Sequence, residues 1–277
     1  MAYKILKSMV VFPNAKINIG LNIVEKRQDG FHNIESCFYP VGWSDALEIL
    51  PAESFSFQSD GINIPGDPAT NLCSRAYYML AEDYDVEPVS IQLLKAVPIG
   101  AGLGGGSSDA AFTIKVLNEL FGLEISLEKQ LDYARRLGSD CAFFIENKPV
   151  YCFEKGDRFE EIGLNLAGKW IVLVNPELHI STAEAYAGIQ PLRSENDLRE
   201  ILTTPMENWK EVVKNDFETS LFPKYPVLKK IKESLYNKGA KYAAMSGSGS
   251  TLYGIFDEET DLSGIFGQYK VWQGYLK

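Results

Sequence analysis

What the chain has little of narrows the field first. Four cysteines in 277 residues (Cys37, Cys73, Cys141 and Cys152) form neither CxxC pairs nor a regular framework. Buried free thiols in a reducing cytosol are therefore expected rather than a disulfide scaffold. Positive charge is short: 27 Lys and Arg stand against 37 Asp and Glu, a formal net charge of -10. Nucleic acid and anionic membrane surfaces meet no attractive field on such a chain, whereas a nucleotide needs only local positive charge. No apolar run approaches membrane-spanning length, and residues 1–12 carry two lysines but no leader-type apolar core or cleavage site, so a cytoplasmic protein is expected. Long repeats and low-complexity tails are missing as well. What remains is ordinary for a soluble globular protein, 45% apolar and 23% charged, with length enough for one large domain or two.

The most informative stretch is 97–111, with five glycines among the seven residues 100–106. Residues 89–93 before it alternate like a strand. After it Ala110, Ile114, Leu117 and Phe121 fall at helical spacing, with Gly122 placed to stop the helix. Strand, glycine loop and helix start form a phosphate-holding arrangement. Glycine permits positive φ and close backbone approach, and the open N–H groups of the first helical turn face the anion. The hydroxyls of Ser107 and Ser108 add donors, or a ligand for Mg²⁺.

Around this run the chain alternates strands and helices. Ile17, Ile19, Leu21 and Ile23 mark a strand over 15–24 that begins beside Lys16, either a solvated charge or a cation aimed into a cleft. Asp29-Gly30 signals a turn. The following Phe31-His32 reads equally well as a loop end or as a flat donor beside a stacking ring. Residues 45–50 and 54–57 look like a pair of short strands. Asn71 is placed to cap a helix over 72–83, and Ser126 to cap another that Gly138 ends. Asp140 abuts the apolar run 141–144 as a cap or as a site carboxylate. A break over 146–157 places a boundary there, dividing the chain into 1–155 and 156–277. Beyond it come a buried-type strand at 170–174, a helix start at 181–186, polar loop and helix over 194–210, and a helix over 227–239. His179 reads as a surface histidine, and 246–251 as a Ser-Gly turn between apolar strands, locally a hairpin.

Three phosphate-binding chemistries compete. No lysine follows the glycines, so the P-loop motif GxxxxGK[ST] is absent. Gly100, Gly102 and Gly105 match GxGxxG, but another helix follows where a dinucleotide fold needs a second strand ending in an acid. The third reading covers nearly the whole chain. Pro13-Asn14-Ala15-Lys16-Ile17-Asn18, the run from Pro98 to Ser108, and Met245-Ser246-Gly247-Ser248-Gly249-Ser250-Thr251 resemble, in order, the three signature motifs of the GHMP kinases. The lengthened glycine run, Asp29-Gly30-Phe31-His32 and Gly138-Ser139-Asp140 resemble the branch of that family acting on a cytidine-diphosphate-linked methylerythritol in non-mevalonate isoprenoid synthesis.

That resemblance implies an α+β protein of two domains, the N-terminal one like ribosomal S5 domain 2 and the C-terminal one ferredoxin-like, with the active site between them. It implies transfer of the ATP γ-phosphoryl group to a 2-hydroxyl with Mg²⁺, catalysed by Asp140 with Lys16. For ATP it implies Pro98, Gly100, Gly102, Leu103, Gly104, Gly105, Gly106, Ser107 and Ser108, with Asn71 and Lys95 on the adenosine side and Ser108 toward the metal. For the acceptor it implies Asn18, Phe31, His32, Thr182 and Tyr186. The expected partners are these small molecules alone, with the chain a monomer or weak homodimer. Phe31 stands where the family commonly has tyrosine, and Ser139 and Cys141-Ala142 depart around the aspartate. A different acceptor such as homoserine or mevalonate, and a non-enzymatic nucleotide or sugar sensor, are the competing functions; retention of both Lys16 and Asp140 speaks against the sensor.

Overall fold

The computed structural model describes residues 8–194 and 196–277. Residues 1–7 of the segment read for a leader lie outside the described residues, as does Glu195 in the polar stretch 194–210. The chain forms two compact units, each discontinuous in sequence. The first comprises Met1–Ala15, Ser44–Ile99 and Gly104–Asn147; the second comprises Lys16–Trp43, Gly100–Leu103 and Lys148–Lys277.

The first unit is built on a sheet of β1 (Met9–Val11), β4 (Ala46–Pro51), β6 (Val89–Lys95) and β5 (Ser56–Gly61), in the order β1-β4-β6-β5. The two strands expected over 45–57 both exist, but β6 lies between them. It pairs antiparallel with β4, Leu47 opposite Leu93 and Ile49 opposite Ile91, and parallel with β5. Val89, Ile91 and Leu93 are buried and want partners on both sides, whereas the polar Gln58, Ser59 and Asp60 are exposed and suit an edge. The helices α1 (Leu72–Asp83), α2 (Gly105–Phe121), α3 (Leu127–Leu137) and α4 (Phe143–Glu146) belong to this unit. The first of them is capped as expected, Asn71 Oδ1 accepting the N–H of Cys73 at 2.8 Å. α2 packs against α1, α3 and α4 through a side that includes Ala110, Ile114 and Leu117, all fully buried. Gly122, in the left-handed conformation, ends it.

In the second unit the long strands β2 (Asn14–Lys26) and β3 (His32–Ser44), whose outermost residues belong to the first, join β7 (Val150–Phe153) and β8 (Arg158–Glu161) in the order β2-β3-β7-β8. Asp29-Gly30 is a turn, Asp29 Oδ1 accepting the N–H of Phe31 at 3.1 Å with Gly30 at φ +86°. Most of the break over 146–157 turns out to be structure: β7 and β8 pair across it as a hairpin, with Phe153 opposite Arg158. Its Lys, Glu, Asp and Gly residues are turn chemistry, which composition alone does not separate from a linker.

A second sheet, β10 (Tyr242–Met245), β11 (Leu252–Phe256), β9 (Trp170–Asn175) and β12 (Lys270–Tyr275), is antiparallel in the order β10-β11-β9-β12. Every residue of β9 is buried. The unit also holds α5 (Thr182–Ala187), α6 (Leu198–Ile201), α7 (Trp209–Val212), α8 (Asp216–Lys224) and α9 (Pro226–Asn237). The last lays Leu228, Ile231 and Leu235 against β10 and β11, each such burial contributing about 1.5–3 kcal/mol. Residues 246–251 connect β10 to β11, so the hairpin reading of that turn is correct.

Candidate active site

In the first unit the glycine run opens α2. Gly104, at φ +69°, is its N-cap and supplies no side-chain cap. The first-turn N–H groups are therefore left to an incoming anion rather than to a serine or aspartate. An added Cβ on Gly105 would meet Lys95 Nζ at 2.9 Å and Val97 at 3.0 Å, whereas one on Gly106 would meet nothing within 4 Å. One glycine makes room for a lysine below, and the next faces open space.

That lysine is committed. Lys95 Nζ forms ion pairs with Asp45 and, at 2.8 Å, with Asp109, and all three side chains are essentially buried. Asp45 also accepts the N–H groups of Ala96 (2.6 Å) and Val97 (2.8 Å), fixing the start of the loop. Burial works against the Lys95 charge, and Asp109 and Asp45 more than offset it, so its pKa lies above the ordinary lysine value. Burial raises the pKa of Asp109, with Lys95 opposing and Asp45 reinforcing. Asp45 had no signal in the sequence beyond an acid at a strand start. Two buried oxygens of α2, Ser108 Oγ and Asp109 Oδ1, have no hydrogen-bond partner, and native interiors keep few such groups.

Asp140 follows α3 and is half-buried, with Ser139 Oγ 3.5 Å from its Oδ1. It is not the cap of the segment that follows: α4 starts after Ala142 with no side-chain cap. Asn71 spends its Oδ1 on α1, leaving the amide NH₂ as the group able to reach a ligand. Pro98 is buried in the same unit.

The second unit assembles parts of all three signature motifs. Lys16 is buried; its Nζ donates to Asn18 Oδ1 at 2.5 Å and stands 4.5 Å from the centre of the Phe38 ring. Its backbone N–H donates to Leu103 O. Asn18 Nδ2 donates to Ser36 Oγ, which in turn donates to Gly20 O, while Asn18 N donates to Ser246 Oγ and Asn18 O accepts Tyr253 OH. Ser246 Oγ donates to Gly102 O at 2.7 Å, and Thr251 N donates to Ala101 O. Gly102 is forced by this closeness: a Cβ there would lie 1.9 Å from Ser246 O. Asn215 holds the turn from beneath, its Nδ2 donating to Met245 O and Gly247 O. Ser36, Tyr253 and Asn215 were not singled out from sequence, because each is an ordinary polar residue whose partners lie far along the chain.

The residues expected to receive the acceptor fall in the same unit. His32 and Tyr186 stack face to face, ring centres 4.4 Å apart and planes inclined by 19°, and Tyr186 meets Phe217 edge-on. Burial lowers the His32 pKa, with Lys26 adding to the effect. Phe31 is largely exposed, with Lys155 Nζ 5.3 Å from its ring centre. Thr182 begins α5, which Ser181 caps through the N–H of Glu184. Lys16, Asn18, Gly100, Gly102 and Leu103 therefore share one unit with His32, Thr182 and Tyr186, and Asn71, Lys95, Pro98, Gly104, Gly105, Gly106, Ser107, Ser108 and Asp140 share the other.

The chain belongs to the GHMP kinases. Residues 71–148 match the model of the GHMP kinases N terminal domain, and 192–269 that of the GHMP kinases C terminal. The chain is 54% identical to the 4-diphosphocytidyl-2-C-methyl-D-erythritol kinase of Cytophaga hutchinsonii, over 91% of this chain and 94% of that one. It is 49% identical to the enzyme of the same name from Bacteroides fragilis, over 92% and 94%. A crystal structure of 4-(cytidine 5'-diphospho)-2C-methyl-D-erythritol kinase superposes with a TM-score of 0.82 at 28% identity, covering 96% of this chain and 98% of the other. Mevalonate kinase of Methanococcus jannaschii, at 14% identity and a TM-score of 0.72, shares the fold. The two-domain α+β kinase fold expected from the motifs is the fold observed, and the chain is an ATP-dependent kinase.

Proposed function

We infer that this chain transfers the γ-phosphoryl group of ATP to the 2-hydroxyl of 4-diphosphocytidyl-2-C-methyl-D-erythritol, a step in non-mevalonate isoprenoid precursor synthesis. The observation that carries the reading is the hydrogen-bonded cluster of Lys16, Asn18, Leu103, Gly102 and Ser246, seen in a chain about half identical to enzymes of that name. Phosphoryl transfer asks a protein mainly for in-line positioning and charge neutralisation. In this reading Asp140 orients the acceptor hydroxyl and takes its proton, while Lys16 stabilises negative charge on the reacting oxygens. Residues 104–108 hold phosphate through the open first turn of α2, and Asn71 reaches the adenosine side through its amide. Lys95 serves the nucleotide by fixing the base of the loop. Asn18, Phe31, His32, Thr182 and Tyr186 receive the cytidine diphosphate portion.

The metal is Mg²⁺, and the residues fit it. Ser108 Oγ is a buried oxygen without a partner, and no group of three or more His, Cys, Asp or Glu residues suited to a metal exists among the described residues. Mg²⁺ in nucleotide sites takes one or two protein oxygens and completes its shell with phosphates and water; there it neutralises charge on the phosphates.

The reading keeps a cytoplasmic location and a monomer or weak homodimer. No helix among the described residues is long and apolar enough to cross a membrane. The test is ADP release, followed by a coupled assay, across a panel of the cytidine-diphosphate methylerythritol, homoserine and mevalonate. Turnover with the first alone is expected, with CDP competing; turnover with either of the others in its place overturns the assignment.

A further inference from the structure

His179 belongs to no signature motif and read as a surface histidine, yet it lies against the glycine loop. A Cβ placed on Gly100 would be 3.8 Å from both Cε1 and Nδ1 of its ring, the distance of ordinary contact. Both residues are exposed, and no protein hydrogen bond or ion pair engages the ring nitrogens among the described residues. Its place is not accidental. His179 sits in the connection between β9 and α5, and the residues flanking it are anchored: Leu178 O accepts Ser250 Oγ at 2.6 Å, and Ile180 is buried. At the root of the connection Asn175 accepts the N–H of Glu177 and donates to Thr251 Oγ1. The Ser-Gly hairpin that clasps Gly102 from one side therefore also fixes the segment that sets an imidazole beside Gly100.

We propose that His179 is a nucleotide-binding residue, donating a ring N–H to a phosphate oxygen of ATP at the Gly100 edge of the loop. An anionic chain of net charge -10 needs local donors to hold a polyanion, and an exposed imidazole with both nitrogens unspent beside the loop is one. A neutral imidazole carries an N–H donor, so the contact does not require a charged ring. The inference rests on the kinase reading above and specifies one more donor for its phosphate chain. The acceptor's diphosphate offers the same chemistry, so the experiment separates the two sources.

The experiment compares wild type with His179→Ala and His179→Gln in steady-state kinetics, together with direct titration of ADP in the absence of acceptor. For His179→Ala the KM for ATP and the Kd for ADP are expected to rise about tenfold, the scale of one hydrogen bond to a charged group. The acceptor KM, kcat and Tm stay within twofold of wild type, and His179→Gln, which keeps a donor, recovers most of the loss. Unchanged nucleotide affinity overturns the proposal. So does a change confined to the acceptor KM, or an equal rise in both KM values, which marks a disturbed loop. If wild type releases no ADP with the cytidine-diphosphate acceptor, the functional reading fails, and the ADP titration still decides the role of His179.

Discussion

Two buried lysines, Lys16 and Lys95, sit in different units and are held in different ways. Lys95 is locked between two aspartates, one of which also fastens the loop backbone at Ala96 and Val97. Lys16 donates to an asparagine oxygen, lies over a phenylalanine ring, and is tied through Asn18 to serine and tyrosine hydroxyls. The first arrangement is an ionic anchor, whose removal strands two buried carboxylates. The second ties the lysine, through Asn18, into a set of hydrogen bonds that fixes a geometry. In this reading Lys95 serves stability and Lys16 serves chemistry, although both are almost fully enclosed.

That contrast can be broken by mutation. The largest effects are expected in turnover: Asp140→Asn and Lys16→Met should each lower kcat at least ~100-fold, the lower end for positioned acid–base groups, with ATP still bound in an equilibrium titration. Near wild-type turnover in either variant removes it from the chemistry. Next comes Lys95→Met, which should cost about 3–5 kcal/mol of unfolding free energy, the usual loss when one member of a buried ion group is removed. Lys16→Met should lose clearly less in the same denaturant titration. Equal losses would erase the distinction between anchor and working lysine.

Smaller effects sharpen it. Gly102→Ala sets a methyl against Ser246 O at positive φ, so a loss of about 3 kcal/mol or more is expected from overpacking, together with a raised KM for ATP. Ser246→Ala should cost about 1 kcal/mol, the scale of a hydrogen bond, and probes that set of hydrogen bonds alone. The smallest effect concerns pH. Burial, with help from Lys26, holds the His32 pKa below the ordinary 6.5, so folded protein takes up its proton less readily than unfolded chain. The contribution of His32 to stability is complete above pH 6.5 and is lost as pH falls through the depressed value. In the same window a rising KM for the acceptor is expected, and His32→Gln should flatten that rise.

Much of this was legible before any coordinates. The alternation of Ile17, Ile19, Leu21 and Ile23 marked β2 as a strand, and Asn71, Ser126 and Gly122 marked helix ends at the positions observed. Local chemistry writes such features, since caps, turns and periodicity act within a few residues. The order of short strands was less legible. The polar β5 lies beside β6 and not β4, because pairing depends on which strand needs cover on both sides. The boundary expected over 146–157 falls on a β-hairpin, because hairpin turns and linkers draw on the same residues.

The roles of individual polar groups divide in the same way. Sequence alone determined the family, through three ordered motifs, and with it Lys16, Asp140 and the glycine run as the residues to watch. Only the tertiary structure decided that Lys95 is spent on Asp45 and Asp109, that Gly102 must be glycine because Ser246 O lies against it, and that His32 stacks on Tyr186. These facts join residues from 14 to 154 positions apart in the chain. Hydrogen bonds, ion pairs and ring stacks act over a few ångströms, so which distant groups meet is set by how the elements pack and leaves no periodic trace in the sequence.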